Sequence, residues 1–152
     1  MTNIIARLAL TLVGLVAFAT AFAQEVRDDE ADVLLTIERA WEANRKGDHD
    51  DFDKMLMDNF MGWTKASPAP RSKTSTSRWH RLNDEVGRVM RYELYPLWVT
   101  VQDDVAVAHY LYSVALKNQD GDIEMSNGRY SDVLMRTEEG WKFLAWHGGK
   151  DD

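Results

Sequence analysis

The feature that most constrains the fold is a succession of four strand-like segments in the second half of the chain. They are rich in Val, Tyr, Leu and Trp and are separated by short turns that contain Asp, Gly or Glu. Connections this short join antiparallel strands, so the pattern predicts an antiparallel meander. The four segments cover residues 90–101, 105–117, 123–137 and 140–148.

Helical periodicity precedes these strands. Between residues 28 and 46, Val33, Ile37, Ala40 and Trp41 recur at helical spacing, which predicts an amphipathic helix. A second, short helix is expected from Asp48. The predicted inner face of this helix consists of Phe52, Met55, Leu56 and Phe60. A strand is expected to follow over residues 60–64.

Residues 65–77 contain two prolines and many hydroxyl side chains, a composition typical of a mobile loop. A third helix is predicted over residues 77–86, with Trp79, Leu82 and Val86 on its buried face. Helices followed by a run of strands indicate the α+β class. We therefore expect N-terminal helices packed on one face of a bent, mainly antiparallel sheet.

The first residues are typical of a secretory leader. Arg7 precedes an apolar run that closes on Ala21 and Ala23, which predicts a signal peptide over residues 1–23 and a secreted or periplasmic protein. Residues 24–152 then form a single domain. The alternative is an uncleaved membrane anchor, but the run is shorter than the roughly 20 residues that a spanning helix needs. No later segment is long and apolar enough to span, so no membrane association is expected after cleavage.

Composition excludes several classes of function. The formal net charge of −7 argues against a nucleic-acid partner, because phosphate binding needs a basic surface. The chain has no cysteine, which excludes thiol catalysis and thiolate metal sites. The acidic stretch DHDDFD at residues 48–53 lacks the glycine and glutamate of a calcium-binding EF-hand loop. The sequence predicts no metal and no cofactor.

The closing hairpin, GRYSDVLMRTEEGWKFLAWH at residues 128–147, resembles the SnoaL-like branch of the nuclear transport factor 2-like superfamily. The resemblance extends over about residues 28–149. It implies a cone-shaped domain in which a strongly curved, mixed sheet wraps the helices and leaves a pocket at its open end. The superfamily includes ketosteroid isomerases, dehydratases, polyketide cyclases, binding modules and oligomerisation domains, so the resemblance indicates fold better than activity.

Asp132 interrupts a strand that otherwise looks half-buried, with Tyr130 and Leu134 on the same face. The resemblance implies that it corresponds to an oxyanion-binding aspartic acid of the ketosteroid isomerases. An aromatic pocket would raise its pKa, so that the neutral acid donates a hydrogen bond or the ionised form accepts a proton. The alternative is a structural pairing with Arg129, Arg91 or a backbone amide.

Aromatic side chains supply the other candidate site residues. Tyr110 and Tyr112 share one face of the preceding strand, and Tyr112 is our candidate catalytic partner of Asp132. These phenols are alternatively core residues with hydroxyls that reach the rim. The complete predicted ligand-binding set is Tyr110, Tyr112, Tyr130, Asp132, Leu134 and Trp146, with Trp63, Trp79 and Tyr92 closing the mouth.

His109 and His147 are out of phase with the inward tyrosines, which places them on the convex face unless a β-bulge reverses one of them. A reversed histidine would form an acid-base dyad with Asp132. The same convex face exposes an apolar stripe that includes Val105 and Leu111, so we expect a homodimer through it.

The sequence is compatible with three functions. The first is an exported domain that binds a small, partly apolar ligand. The second is a cofactor-independent isomerase, dehydratase or cyclase that uses Asp132 as acid or base. The third is a non-catalytic dimerisation or interaction module.

Overall fold

The computed structural model describes residues 28–151, apart from the side chains of residues 83–86. The predicted leader, residues 1–23, lies outside the described residues, so export stays a prediction. The described chain is an α+β structure in which helices pack on one face of an open, mixed sheet. This confirms the expected fold class.

Residues 28–46 are helical and belong to helix α1, in agreement with the helix predicted for this stretch. It buries Val33, Ile37 and Ala40, which recur every three or four residues and therefore lie on one helical face. The turn that follows contains Gly47, whose φ of 71° is a conformation that glycine adopts without strain.

Helix α2, His49–Lys54, begins after Asp48, whose carboxylate accepts a hydrogen bond from a backbone N–H of the first turn. Leu56 and Phe60 were predicted to lie on the inner face of this helix, and that prediction is wrong. Both residues lie on strand β1, Leu56–Thr64. Both are nevertheless buried, so the correction concerns the type of element and leaves the core unchanged.

The predicted loop over residues 65–77 is shorter in the structure. Strand β2, Arg71–Ser72, pairs with β1, and helix α3, Lys73–Val86, starts four residues earlier than expected. Hydroxyl-rich segments favour turns only weakly, because Ser and Thr side chains can also bond to the backbone of their own helix.

The inner face of α3 also differs from the prediction. Trp79 and Leu82 are 44% and 54% exposed. The side chains that turn inward are polar, since Thr76 and Ser77 are buried and His80 is partly buried. The helix therefore presents a polar face to the interior.

The sheet has the strand order β2-β1-β6-β5-β4-β3. Strand β1 is parallel to β6, and the other neighbours are antiparallel. The four predicted long strands are all present and form the predicted meander. They are β3 (Gly87–Gln102), β4 (Val105–Asn118), β5 (Ile123–Thr137) and β6 (Gly140–Lys150).

The inner face of the sheet carries Ala108, Tyr110 and Asp132 and packs on the helices. Side chains of β4 alternate between buried and more exposed positions, as the period of a strand requires. The outer face is the opposite, convex surface. The core fills the space between α1, α2 and the inner face, and its largest members include Val33, Ile37, Phe52, Phe60, Leu134 and Phe143.

Candidate functional site

A cavity of about 100 Å³ lies between the helices and the inner face of the sheet. All three helices and strands β4, β5 and β6 contribute to its wall, and the wall is mostly aromatic. A cavity that is partly apolar with a few polar groups is typical of small-molecule sites. Its lining residues are Ala40, Trp41, Asn44, Phe52, His80, Tyr110, Tyr130, Asp132, Phe143 and Trp146.

Asp132 is the most deeply buried polar group of this wall, with 1% of its surface exposed. Neither of its carboxylate oxygens has a hydrogen-bond partner within residues 28–151. Burial raises the pKa of Asp132 from 3.8 to about 7, and the nearby Tyr110 hydroxyl opposes this only in part. At mildly acidic pH the side chain is therefore a neutral carboxylic acid with a free O–H donor.

Two small residues of the sheet, Ala108 and Gly62, leave space around Asp132. Asp132 lies opposite Ala108 on β4 and Trp146 on β6, and Trp146 in turn lies opposite Gly62 on β1. A Cβ atom at Gly62 would come within 2.4 Å of the Trp146 Nε1 atom. The glycine thus lets the indole lie across β1, and the alanine leaves room above the carboxyl group.

Tyr110 and Tyr130 form the aromatic wall beside Asp132, with ring centroids 6.0 Å apart. The Trp41 indole N–H donates to the Tyr110 hydroxyl oxygen at 3.1 Å and fixes its position. Burial raises the pKa of Tyr110 well above its usual value, and the charge of Asp132 adds to this. Tyr110 is therefore a neutral phenol at physiological pH.

His80 of α3 faces the same cavity. Its ring stacks on Phe52 with centroids 4.2 Å apart, and its Nδ1 lies 3.3 Å from the Asn44 Oδ1 atom. Burial lowers the pKa of His80 to about 4, and the charge of His49 acts in the same direction. The imidazole is thus neutral over the pH range in which most histidines titrate.

The structure brings four of the predicted ligand-binding residues to this cavity: Tyr110, Tyr130, Asp132 and Trp146. Tyr112 is buried beside them and packs on Trp41 with ring centroids 5.0 Å apart, but it does not line the cavity. Its predicted catalytic pairing with Asp132 therefore has no geometric support. Leu134 is fully buried in the core.

The three residues predicted at the mouth lie elsewhere. Trp63 is 47% exposed and donates to the Ser67 carbonyl oxygen, and Trp79 is 44% exposed. Arg71 covers the Trp79 ring at 4.1 Å, which explains why that indole stays at the surface. Tyr92 lines a second cavity of about 390 Å³ between α1 and β3.

His109 and His147 lie on the outer face, where the simplest strand register placed them. The His109 Nδ1 lies 2.7 Å from the Ser131 Oγ atom, and the His147 ring packs against Trp63. A dyad of either histidine with Asp132 is therefore absent among the described residues, because the two sets occupy opposite faces.

The alternative structural pairing of Asp132 is also absent from the described chain. Arg129 pairs with Asp151, and Arg91 pairs with Glu93. The two arginines are thus already neutralised on the surface, and Asp132 keeps its two free oxygens.

Sequence reasoning missed His80 and Asn44. Asn44 follows Ala40 by four residues, so the phase of α1 was sufficient to place it on the inner face. His80 carried no such signal, because the apolar residues nearest to it predicted a different inner face for α3.

Within residues 28–151, no cluster of three or more His, Asp or Glu side chains is arranged to hold a metal ion. In the same part of the chain, no helix has the length and apolar character needed to cross a bilayer.

Comparison with protein families gives a match to the SnoaL-like domain over residues 33–149, most of the chain. The protein belongs to the SnoaL-like domain family. This confirms the resemblance inferred from the closing hairpin. Comparison with curated protein sequences gives no significant match.

Solved structures with the same fold support this SnoaL-like assignment. A ketosteroid isomerase-like protein from Erwinia carotovora atroseptica is 13% identical, with a TM-score of 0.72 over 82% of this chain and 97% of that one. A proposed dehydratase of the NTF2-like family from Streptomyces avermitilis is 16% identical, with a TM-score of 0.71 over 83% and 98%.

A third structure is an NTF2-like protein from Rhodospirillum rubrum, described as of unknown function in nutrient uptake. It is 20% identical, with a TM-score of 0.68 over 79% of this chain and 98% of that one. At these identities the likeness concerns the nuclear transport factor 2-like fold alone.

Proposed function

We propose that this SnoaL-like protein binds a small, partly apolar carbonyl compound in the cavity at Asp132. The neutral carboxylic acid donates a hydrogen bond to the carbonyl oxygen, and Tyr110, Tyr130 and Trp146 cover the apolar part of the ligand. The observation that supports this most strongly is the fully buried carboxyl group without a partner.

A buried polar group without a partner destabilises a fold by about 1–3 kcal/mol, and more when it is charged. Asp132 forms no ion pair in the described chain, and neither of its oxygens has a partner of full hydrogen-bond geometry there, although the Tyr110 hydroxyl lies close enough to lower its pKa in part. A ligand acceptor would satisfy the O–H donor inside the cavity. Ligand binding thus gives the residue a physical purpose that the fold alone does not.

The volume of the cavity limits the ligand. An engineered protein cavity of about 150 Å³ holds benzene. The cavity here is about 100 Å³, so it accommodates a molecule of a few non-hydrogen atoms, or one end of a longer molecule. A fused-ring ligand would require the walls to move.

The same residues are compatible with proton transfer, because a carboxyl group with a pKa of about 7 exchanges protons readily near neutral pH. Turnover as an isomerase, dehydratase or cyclase is therefore the second candidate function.

The outer face of the sheet supports a further proposal, that the protein is a homodimer through this surface. Trp98 is 66% exposed there and lies opposite His109, while Leu111 and Val105 are each 39% exposed. A second copy of the chain would remove this apolar surface from water.

Ligand-observed NMR with butanone tests the binding proposal. Replacing Asp132 with leucine keeps the branching of the side chain but removes the donor, and we expect affinity to fall about tenfold or more, at least the value of one hydrogen bond. Asp132→Asn keeps an N–H donor and should bind within a few-fold of the wild type. Asp120→Leu, at an exposed turn, is the matched control. Equal butanone affinity for wild type and Asp132→Leu would refute the proposal.

A further inference from the structure

The two ring nitrogens of His80 differ in their contacts among the residues that the structure describes. An amide oxygen can only accept a hydrogen bond, so with the Asn44 Oδ1 atom facing the His80 Nδ1 the neutral ring is assigned its proton on Nδ1. The Nε2 atom is then a lone-pair acceptor. It has no hydrogen-bond partner within the described chain.

The ring of His80 is also held in place, which makes its acceptor a fixed feature of the wall. Phe52 stacks on one face of the ring at 4.2 Å, and Asn44 anchors the opposite nitrogen from helix α1. The three residues all line the cavity. An acceptor fixed in this way loses little conformational entropy when a ligand binds.

The polar groups of this cavity therefore include a buried donor at Asp132 and a fixed acceptor at His80, set among aromatic walls. The donor is the O–H group of neutral Asp132, whose two oxygens are without a partner. The Trp41 N–H is already used by the Tyr110 hydroxyl, and the Asn44 oxygen is used by His80. A ligand that matches this arrangement needs both an acceptor and a donor.

We propose that His80 is a specificity-determining residue of this cavity and that the ligand is a small hydroxy-carbonyl compound. Its carbonyl oxygen accepts from Asp132, and its hydroxyl group donates to the His80 Nε2 atom. This inference depends on the proposed function for the contact at Asp132, and it adds the second contact and the class of ligand.

The two contacts predict an optimum of binding with pH. Affinity falls below pH about 4, where His80 becomes protonated and loses its acceptor, and above pH about 7, where Asp132 loses its donor. The groups that influence His80 are His49, Asp53 and Arg71, and those near Asp132 are Tyr110 and Tyr130. Of these, Asp53 is the one that opposes the lowering of the pKa of His80.

Two probes with the same number of non-hydrogen atoms isolate the second contact. Hydroxyacetone and butanone share the carbonyl group, but butanone has a methyl group where hydroxyacetone has the hydroxyl. We expect wild-type protein to bind hydroxyacetone about tenfold more tightly at a pH midway between the two pKa values, measured by ligand-observed NMR. His80→Phe keeps the ring stacking and should abolish this preference while butanone still binds. His109→Phe, on the outer face, should keep the preference.

The outcomes separate the two proposals. Equal affinity of the wild type for both probes, which needs no variant, would overturn the role of His80 and leave the butanone contact at Asp132 intact. A preference that survives in folded His80→Phe would do the same. Equal butanone affinity of the wild type and Asp132→Leu would instead refute the proposed function itself.

Discussion

Replacing Asp132 with asparagine should change how the stability of the protein depends on pH. The pKa of Asp132 is about 7 in the folded protein and 3.8 when the side chain is in water. Because the folded value is the higher one, the folded state binds more protons than the unfolded state between these limits. The contribution of Asp132 to stability is fully present below pH 3.8 and is lost as pH rises through about 7.

The size of the effect follows from the same two values. Each pH unit between them lowers the unfolding free energy by about 1.4 kcal/mol. Over the interval from pH 3.8 to pH about 7 the unfolding free energy therefore falls by about 4 kcal/mol. The full value applies because the side chain is 1% exposed. Asparagine has nearly the same shape as aspartate but does not titrate, so it causes no such fall in the unfolding free energy of Asp132→Asn.

Urea unfolding followed by tryptophan fluorescence measures the effect, since the chain contains six tryptophans. The informative quantity is the unfolding free energy of Asp132→Asn minus that of the wild type, because the other titrating groups cancel. We expect this difference to rise by about 4 kcal/mol between pH about 4 and pH about 8. Asp120→Asn, at an exposed position, should show no such rise. A constant difference for Asp132→Asn would refute the argument that burial controls this carboxyl group.

Two other substitutions test the packing of the fold and its proposed assembly. Gly128→Ala would bring a Cβ atom within 2.2 Å of the Gly149 carbonyl oxygen and 2.6 Å of the Tyr112 hydroxyl. The backbone contact has no room to yield, so we expect thermal unfolding to show a loss of about 2 kcal/mol or more; wild-type stability would contradict this. Trp98→Lys should shift a homodimer to monomers in sedimentation experiments, whereas Leu35→Lys, 61% exposed on α1, should not. A monomeric wild type would contradict the proposed dimer.

The long strands were predictable because their signal is repeated many times. In Ile123–Thr137 the period of two, the Asp-Gly turn before it and the Glu-Glu-Gly turn after it all indicate the same bounds, and these are the bounds observed. Local and global preferences agree there. The inward position of Asp132 follows from this register and was therefore predictable too.

The boundary between α2 and β1 was not predictable from periodicity. Leu56 and Phe60 are four residues apart, which suits one face of a helix and also one face of a strand. The structure resolves this ambiguity through tertiary pairing, because the Met55 carbonyl oxygen accepts from the Phe143 N–H and Leu56 lies beside Phe143. A contact with a strand nearly 90 residues away leaves no trace in the local pattern.

Helix α3 shows why a functional side chain can escape sequence analysis. Its exposed Trp79 and Leu82 predicted the buried face, while the side chains that turn inward, Thr76, Ser77 and His80, are polar. Apolar residues predict burial only when the interior beside them is apolar. A cavity with polar groups reverses that rule, so the error in the helical phase occurs at the position of the candidate site.

Asp132 and His80 are linked by a common physical cause. Burial disfavours the charged form of each, which raises the pKa of Asp132 and lowers that of His80. Stability from a neutral His80 is present above its ordinary pKa of 6.5 and lost as pH falls through about 4, opposite in sign to the effect of Asp132. Between pH about 4 and pH about 7 both groups are neutral, so that Asp132 is a hydrogen-bond donor and His80 is an acceptor. Over this range the two contributions change with pH at the same rate and in opposite directions, so they nearly cancel in the stability of the fold while both groups stay able to bind a hydroxy-carbonyl ligand.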